Sequence, residues 1–218
     1  MIVDHNHPLY IKKRKSSGND KFNGAYYYSK EIVKNFIPNI NTDRNWITVN
    51  IPSLEGDWDH SIVFIHNNRN PNYYSWLKKY KDLILVCGIP QTCENMRFYG
   101  KPVYLPLSVD VKNVKKHKKA HKTKNMGFAG RMIKLNNHVP NDCDVLSGMS
   151  QTRLLDKMSR YKKIYAVGRT AIQARILGCE IGVYDERFPD PKFWKVVDNS
   201  EAVKILQQMI DEIDKNKS

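Results

Sequence analysis

The turn around Gly168 has the residue types that bind a phosphate group. Gly168 ends an apolar run, Arg169 and Thr170 follow it at the start of a predicted helix, and Gln173 lies one turn further along. Glycine allows a close backbone approach, and the N–H groups that begin a helix favour anions. A guanidinium, a hydroxyl and backbone amides would then converge on a phosphate, with Gln173 reaching a ribose hydroxyl. The alternative is an ordinary glycine turn with a capping threonine and a solvated arginine.

A second glycine turn offers a diphosphate clamp. Gly130 closes a short apolar run, and Arg131 and Lys134 come next, three residues apart. On a helical turn two such cations point the same way. A glycine bulge followed by surface cations is the alternative interpretation.

The first half of the chain supplies two candidate catalytic residues. His66 follows an apolar, strand-like run, where a general base would be useful, although a lone histidine is more often structural. Asp20 lies in a polar loop that contains glycine. That loop either holds an acceptor, with Asp20 as a base, or is a plain flexible loop.

A run of lysines divides the sequence. The net charge is +14, and half of it comes from the seven lysines of residues 111–124, a stretch without acidic residues. Clustered cations can follow a phosphate backbone, and an anionic membrane surface would attract them too. The candidate nucleic-acid-binding residues are Lys115, Lys116, Lys118 and Lys119. The alternative is a solvated linker without a partner.

Composition and motif counts exclude several classes of protein. Of the 218 residues, 41% are hydrophobic and 27% are charged, which excludes wholesale disorder. The sequence has no apolar run long enough for a membrane span and no signal-peptide pattern, and its four cysteines form no Cys-x-x-Cys pair. These features predict a cytoplasmic protein. Two Asp-x-Asp pairs occur where chance alone gives about one in so aspartate-rich a chain, so neither is taken as a metal site. Zinc-type spacing is absent too, and we predict no metal site.

Short apolar runs alternate with helical patterns in both halves. Strands are predicted over residues 9–12, 46–51, 61–66, 83–87 and 163–167, and helices over 25–37, 91–99, 151–161, 170–177 and 200–215. Such alternation is typical of parallel sheets covered by helices. We therefore expect an α/β fold with two small doubly wound, Rossmann-like domains that face a cleft. The expected boundaries are 1–110, a lysine-rich linker over 111–124, and 125–218.

These features resemble glycosyltransferases of the GT-B fold. Residues 101–110 contain a proline and end in an aspartate, as does the end of the N-terminal domain in that family. Residues 126–134 resemble the Gly-Arg-x-x-Lys opening of the donor domain, and residues 168–178 resemble its late donor-site helix. His66 and Asn67 resemble the His-Asn pair that follows an N-domain strand in some members.

The resemblance implies a metal-independent glycosyltransferase. It would move a sugar from a nucleotide-diphosphate donor, its co-substrate, to an acceptor hydroxyl, without a further cofactor. Residues 1–110 would form the acceptor side, with His66 facing the reacting sugar. Residues 125–218 would bind the nucleotide sugar, with Arg131 and Lys134 neutralising the diphosphate, assisted by Arg169 and Thr170. The lysine run suits modified DNA as the acceptor, as in the small DNA-modifying transferases that bacteriophages carry.

The alternative function is a non-catalytic nucleotide- or nucleic-acid-binding protein that retains the fold. Gln173 stands where the family has a glutamate that binds the ribose. Tyr165 stands where retaining members often have another glutamate. Both replacements are what this alternative predicts.

Overall fold

The chain folds into two compact units, each with its own parallel sheet. The computed structural model describes residues 1–16, 24–66, 71–130, 139–184 and 188–216. The first unit consists of Met1–Pro106 together with the C-terminal segment from Ser200 onward, and the second of Leu107–Asn199. The α/β class predicted from the alternation of strands and helices is confirmed.

The strands of the described residues form two parallel sheets. They are β1 (Ile2–Val3), β2 (Asn45–Ile47), β3 (Ser61–Ile65), β4 (Leu83–Cys87), β5 (Lys101–Tyr104), β6 (Lys124–Phe128), β7 (Asp144–Val145), β8 (Tyr161–Tyr165) and β9 (Glu180–Gly182). The first sheet has the order β1-β2-β3-β4-β5 and the second the order β7-β6-β8-β9. All neighbouring strands are parallel.

The two strand orders differ from each other. In the first sheet each new strand is added on the same side, so the order never reverses, and the doubly wound topology predicted for this half is wrong. In the second sheet the chain goes from β6 to β7 on one side and then to β8 on the other. The strand order therefore reverses between β6 and β8, as in a doubly wound sheet.

Helices connect most of the strands. The α-helices are α1 (Pro8–Ser16), α2 (Gly24–Glu31), α3 (Pro90–Met96), α4 (Val111–Lys115), α5 (Gln151–Met158), α6 (Arg169–Ile176) and α7 (Asn199–Lys215). A π-helical turn over Ile32–Phe36 continues α2, and 3-10 helices span Ile37–Asn39, Pro71–Lys79 and Pro191–Phe193. The strand predicted over residues 9–12 is wrong, because that run lies inside α1. Pro8 occupies the first helical position, where a missing N–H is harmless.

The first sheet is covered on both faces. Strands β3 and β4 are buried along their whole length, as expected for apolar strands in a parallel sheet. On one face, Val63 lies in a cluster with Leu77 of the 3-10 helix at 71–79. On the other face, the Phe64 ring stacks on Trp46 and meets Phe36 edge-on.

Helix α7 belongs to the first unit, although the sequence predicted it as part of the second domain. Its apolar side, including Leu206 and Ile210, is buried. The Arg44 guanidinium, which has no exposed area, pairs with Asp214 of α7 and lies 3.3 Å from the Asp82 carboxylate. The amphipathic sequence of α7 predicts that its apolar side packs against another element, but it does not predict which of the two sheets that is.

The lysine-rich segment at 111–124 is part of the second unit and not a linker. It begins with α4, whose Val114 side chain is 2% exposed. It ends in β6, which pairs with β7 and β8. The predicted domain boundaries therefore differ from the observed units at both this segment and α7.

Candidate functional site

The two glycine turns singled out in the sequence leave adjacent strands of the second sheet. Phe128 of β6 pairs with Tyr165 of β8, and the Ala129 N–H donates to the Tyr165 carbonyl over 3.0 Å. Gly130 and Gly168 therefore follow strands that end at the same edge, which we call the carboxyl edge of the second sheet. This is also where the strand order reverses, the usual place for a ligand in an open α/β sheet. Arg131 and Lys134 lie outside the described residues.

Gly168 has a backbone conformation that residues other than glycine rarely adopt. Its φ is +64° and its ψ is −142°, and it forms the N-cap of α6 without a capping side chain. The first helical bond runs from the Ile172 N–H to the Gly168 carbonyl over 3.2 Å. The N–H groups of Thr170 and Ala171 come before it and have no partner within the helix. This helix start can therefore donate backbone hydrogen bonds to an anion.

Arg169 is held by the segment that precedes α4. Its Nε donates to the Ser108 carbonyl over 2.8 Å. Ser108 is buried, and its hydroxyl donates to Asn199 Oδ1 over 2.9 Å. Anchoring through Nε fixes the plane of the guanidinium next to the helix start. Thr170, the next residue, is half-buried.

Gln173 and Tyr165 lie in the interior of the second unit. Gln173, predicted to reach a ribose, is on the buried side of α6 and only 5% exposed. Tyr165 packs in a cluster with Phe128 and Tyr184. A Cβ added to Gly182 would lie 2.5 Å from the Tyr165 ring. Tyr165 is therefore a core residue, and glycine at 182 makes room for it.

His66 lies directly after β3, at the carboxyl edge of the first sheet. Its Nε2 donates to the Thr48 carbonyl over 2.8 Å, and its ring meets Tyr28 edge-on at 5.6 Å. Donation from Nε2 fixes the tautomer, so that Nδ1 is the acceptor nitrogen of the neutral ring. A general base needs such a nitrogen. Asp20, the other predicted base, lies outside the described residues.

Sequence reasoning missed the residues that hold His66. Asn50 Oδ1 accepts from the His66 backbone N–H at 3.3 Å and from the Tyr74 hydroxyl at 2.6 Å. Asn50 and Thr48 were both included in a strand predicted over 46–51, but β2 ends at Ile47. The signal available was an asparagine directly after a run of β-branched residues, since asparagine favours turns over strands.

The lysine-rich segment contacts the opposite end of the second sheet. The N–H groups of Thr123 and Lys124 donate to the Arg160 carbonyl, just before β8 begins. Lys122 Nζ donates to the Ser159 carbonyl at 2.9 Å and to the Leu177 carbonyl at 2.6 Å, at the C-terminal ends of α5 and α6. A cation is favourable where the helix dipole is negative. Lys122 is therefore a structural cap.

Four other lysines form an exposed stripe. Val111 and Val114 point inward from α4, and the His117 ring bonds to the Asp156 carboxylate at 2.7 Å. The stripe consists of Lys112, Lys115, Lys116 and Lys119, which are exposed and make no ion pair with a described residue. Lys112 and Lys115 lie on α4 and Lys116 caps its C-terminal end, whereas Lys119 lies three residues further along, beyond the helix. Lys118, also exposed, instead lies over Gly178 at the end of α6.

The described part of the chain contains neither a cluster of metal ligands nor a membrane-spanning helix. No cluster of three or more histidine, cysteine, aspartate or glutamate side chains there could hold a metal ion. No helix there is both long and apolar enough to cross a membrane.

Comparisons with protein-family models, curated protein sequences and solved structures found no match to this chain.

Proposed function

We propose that the protein is a metal-independent glycosyltransferase of the GT-B type, which binds a nucleotide-diphosphate sugar at the carboxyl edge of the second sheet. The observation that carries the proposal is the coincidence of three features at this edge. The strand order reverses between β6 and β8, a glycine follows the end of each strand, and the start of α6 adds backbone donors beside Arg169. Preorganised donors of this kind stabilise the charge of a leaving diphosphate.

In the proposed reaction the bond between the sugar's anomeric carbon and the diphosphate oxygen breaks. A bond from that carbon to the acceptor oxygen forms, and the acceptor's proton passes to a base. His66 is the proposed base, because its Nε2 is committed to the Thr48 carbonyl and Nδ1 can take a proton. Arg169 and the amides of α6 would stabilise the negative charge left on the nucleotide diphosphate.

Donor binding is tested by thermal unfolding with UDP, GDP, ADP, CMP and dTDP sugars. A ligand that binds only the folded protein raises the melting temperature. One donor should stabilise the wild type, and Arg169→Ala and Thr170→Val should reduce the effect. Arg153→Ala is the matched control, because Arg153 is an exposed arginine of α5 in the same unit. Equal stabilisation of all three variants would contradict the assignment of the donor edge.

Transfer is tested separately from binding. His66→Gln should bind the donor as the wild type does but lose sugar transfer and donor hydrolysis. Activity of the wild type should survive a chelator such as EDTA. Donor binding without any turnover in the wild type would favour a non-catalytic nucleotide-binding protein.

The lysine stripe favours a second candidate function, binding of duplex DNA, either as the acceptor or as the sole ligand. Four exposed lysines without ion-pair partners among the described residues can each neutralise a phosphate. Changing Lys112, Lys115, Lys116 and Lys119 to glutamine should reduce the salt dependence of DNA binding by a slope of roughly 0.9 per lost contact. The control has the same charge change at Lys79, Lys81, Lys101 and Lys204, four exposed lysines of the first unit. An equal effect of both sets would indicate non-specific attraction only.

A further inference from the structure

The carboxyl edge of the first sheet carries a network of hydrogen bonds among polar side chains and neighbouring backbone groups that the proposed function does not use beyond His66. It connects residues that follow β1, β2 and β3 with others from α1 and α2. Thr48 Oγ1 lies 2.7 Å from Ser29 Oγ, which lies 3.5 Å from His5 Nδ1. The members of this carboxyl-edge network are His5, Lys13, Ser29, Thr48, Asn50 and His66.

Lys13 is the cation at one end of the network. Its ammonium donates to the Asn50 carbonyl over 3.2 Å and to the Tyr73 hydroxyl, and it lies 4.2 Å from the centre of the Tyr73 ring. All of these partners are uncharged, and Lys13 forms no ion pair with a residue that the structure describes. Burial lowers the pKa of Lys13 below its ordinary value. An ammonium has three N–H groups, so one remains after these two bonds.

Further cations surround the other end. The Arg14 guanidinium lies 4.7 Å from the centre of the Tyr26 ring, and the Lys30 ammonium lies 5.5 Å from the same centre. The His5 ring meets Tyr26 edge-on at 5.4 Å. The pKa of His5 is lowered, chiefly by burial, and Lys30 and Arg14 lower it further while the Asp4 carboxylate raises it. Two cations, Lys30 and Arg14, and one anion, Asp4, therefore contribute to the electrostatic field at His5.

We infer that the carboxyl edge of the first sheet is an anion site that binds a phosphate monoester, with the Lys13 ammonium as its principal donor. A partly buried ammonium without a counter-charge is unfavourable unless an anion joins it. A phosphate dianion is a strong acceptor for the N–H group of Lys13 that its bonds to Asn50 and Tyr73 leave over. The site lies outside the carboxyl ends of parallel strands, where α/β proteins place ligands.

This site exists or fails independently of the proposed transferase. If the protein has both this anion site and the proposed transferase activity, the acceptor of the sugar carries a phosphate group. This extension rests on the proposed function. The acceptor hydroxyl would then be presented to His66 by a molecule anchored at Lys13, which is linked to His66 through Asn50.

The test is a titration of the full-length protein with inorganic phosphate, with sodium chloride added to hold the ionic strength constant. Binding is read from the NMR resonances of the His5 and His66 rings, because these report on this edge and not on the second unit. Lys13→Gln should weaken phosphate binding by about tenfold or more, as expected when a charge-assisted hydrogen bond is lost. Lys12→Gln, an exposed lysine on the same helix, should bind as the wild type does.

Three results would overturn the inference. Lys13→Gln and Lys12→Gln could bind phosphate equally, phosphate could leave the His5 and His66 resonances unmoved, or acetate could shift them as strongly as phosphate does. Lys13→Arg retains the charge and should retain binding, which separates loss of the site from loss of the fold. Titration of Arg169→Ala should give the same result as the wild type, so failure of the donor edge does not affect this test.

Discussion

The carboxyl edges of the two sheets are built in different ways. At the first sheet polar side chains dominate the edge, and they are joined to one another and to backbone groups in the network that runs from Lys13 through Asn50 and His66. At the second sheet the described residues contribute mainly backbone to the edge, with Gly130 and Gly168 after adjacent strands and the start of α6 beside them. The same class of sheet thus offers two kinds of ligand edge.

The difference follows from strand order. In the first sheet the consecutive order places the ends of β1, β2 and β3 side by side, so the side chains after each strand meet. In the second sheet the order reverses between β6 and β8, and α6 begins at this edge with Gly168 as its N-cap, so the described part of the edge presents backbone N–H groups. At the first edge, loss of a polar side-chain atom should do more damage than an added methyl group. At the second edge, an added methyl group should do more damage than loss of a polar side-chain atom.

The largest effect should come from Arg44, which lies at the opposite end of the first sheet and holds α7. Arg44→Met leaves the carboxylates of Asp82 and Asp214 without their shared cation. We expect a loss of about 3 kcal/mol of unfolding free energy, because breaking a buried ion pair costs about 3–5 kcal/mol and these carboxylates are partly exposed.

Hydrogen exchange shows where that loss occurs. Protection should fall in β2, β3 and α7 while β6 and β8 keep theirs, and donor binding at the second edge should persist. Equal loss of protection in both sheets would contradict the division into two separately stabilised units.

Gly130→Ala should damage the backbone-built edge. An added Cβ would lie 2.6 Å from Phe128 Cζ, and Phe128 is fully buried. Overpacking of this kind costs roughly 1–3 kcal/mol, so we expect about 2 kcal/mol in urea unfolding, with weaker donor binding. Gly24→Ala is the control, because a Cβ there meets nothing within 4 Å. If Gly130→Ala changes stability no more than Gly24→Ala does, the close packing at this turn is not a constraint.

Thr48→Val should damage the side-chain edge without changing its shape. Thr48 is fully buried, and its hydroxyl donates to the Val3 carbonyl and bonds to the Ser29 hydroxyl. Removing it should cost about 1 kcal/mol, since a buried polar group loses a partner. It should also weaken phosphate binding at this edge, measured by the same histidine resonances. Thr123→Val, at an exposed threonine, serves as the control.

The smallest effect concerns the pH dependence of stability, to which the first edge should contribute through the half-buried His5. The pKa of His5 is lowered in the folded protein, so protonation favours unfolding. Stability contributed by neutral His5 is complete above the ordinary pKa of 6.5 and is lost as the pH falls below it. The urea midpoint of the wild type should therefore fall more between about pH 7.5 and about pH 5.5 than that of His5→Gln. Identical decreases would show that His5 is protonated as easily in the folded as in the unfolded chain.

The sequence predicted the elements that have a strong local signal. The apolar runs that became β3 and β4 were identified because a parallel sheet buries both faces of a strand. Gly168 was identified because a glycine between a strand and a helix indicates a special turn. The strand prediction at 9–12 is wrong because three consecutive apolar residues fit a strand and a helix equally well. Pro8 was the signal for a helix start.

The first edge could not be predicted, because it depends on which strands are neighbours. His5, Thr48 and His66 are separated by many residues in the chain and meet only through the consecutive strand order. The lysine-rich segment did carry a usable signal. Val111, Val114 and His117 recur every third residue, which is the inward side of a short helix and not the pattern of a solvated linker.

The return of α7 to the first unit has a consequence for biosynthesis. The ribosome makes Met1–Pro106 first, then the whole second unit, and only afterwards the helix that carries Asp214. Arg44, which directly precedes β2, is therefore synthesised 170 residues before its partner Asp214. The second unit, which is continuous in the chain, can fold as soon as it leaves the ribosome, so the unit synthesised first is the one completed last.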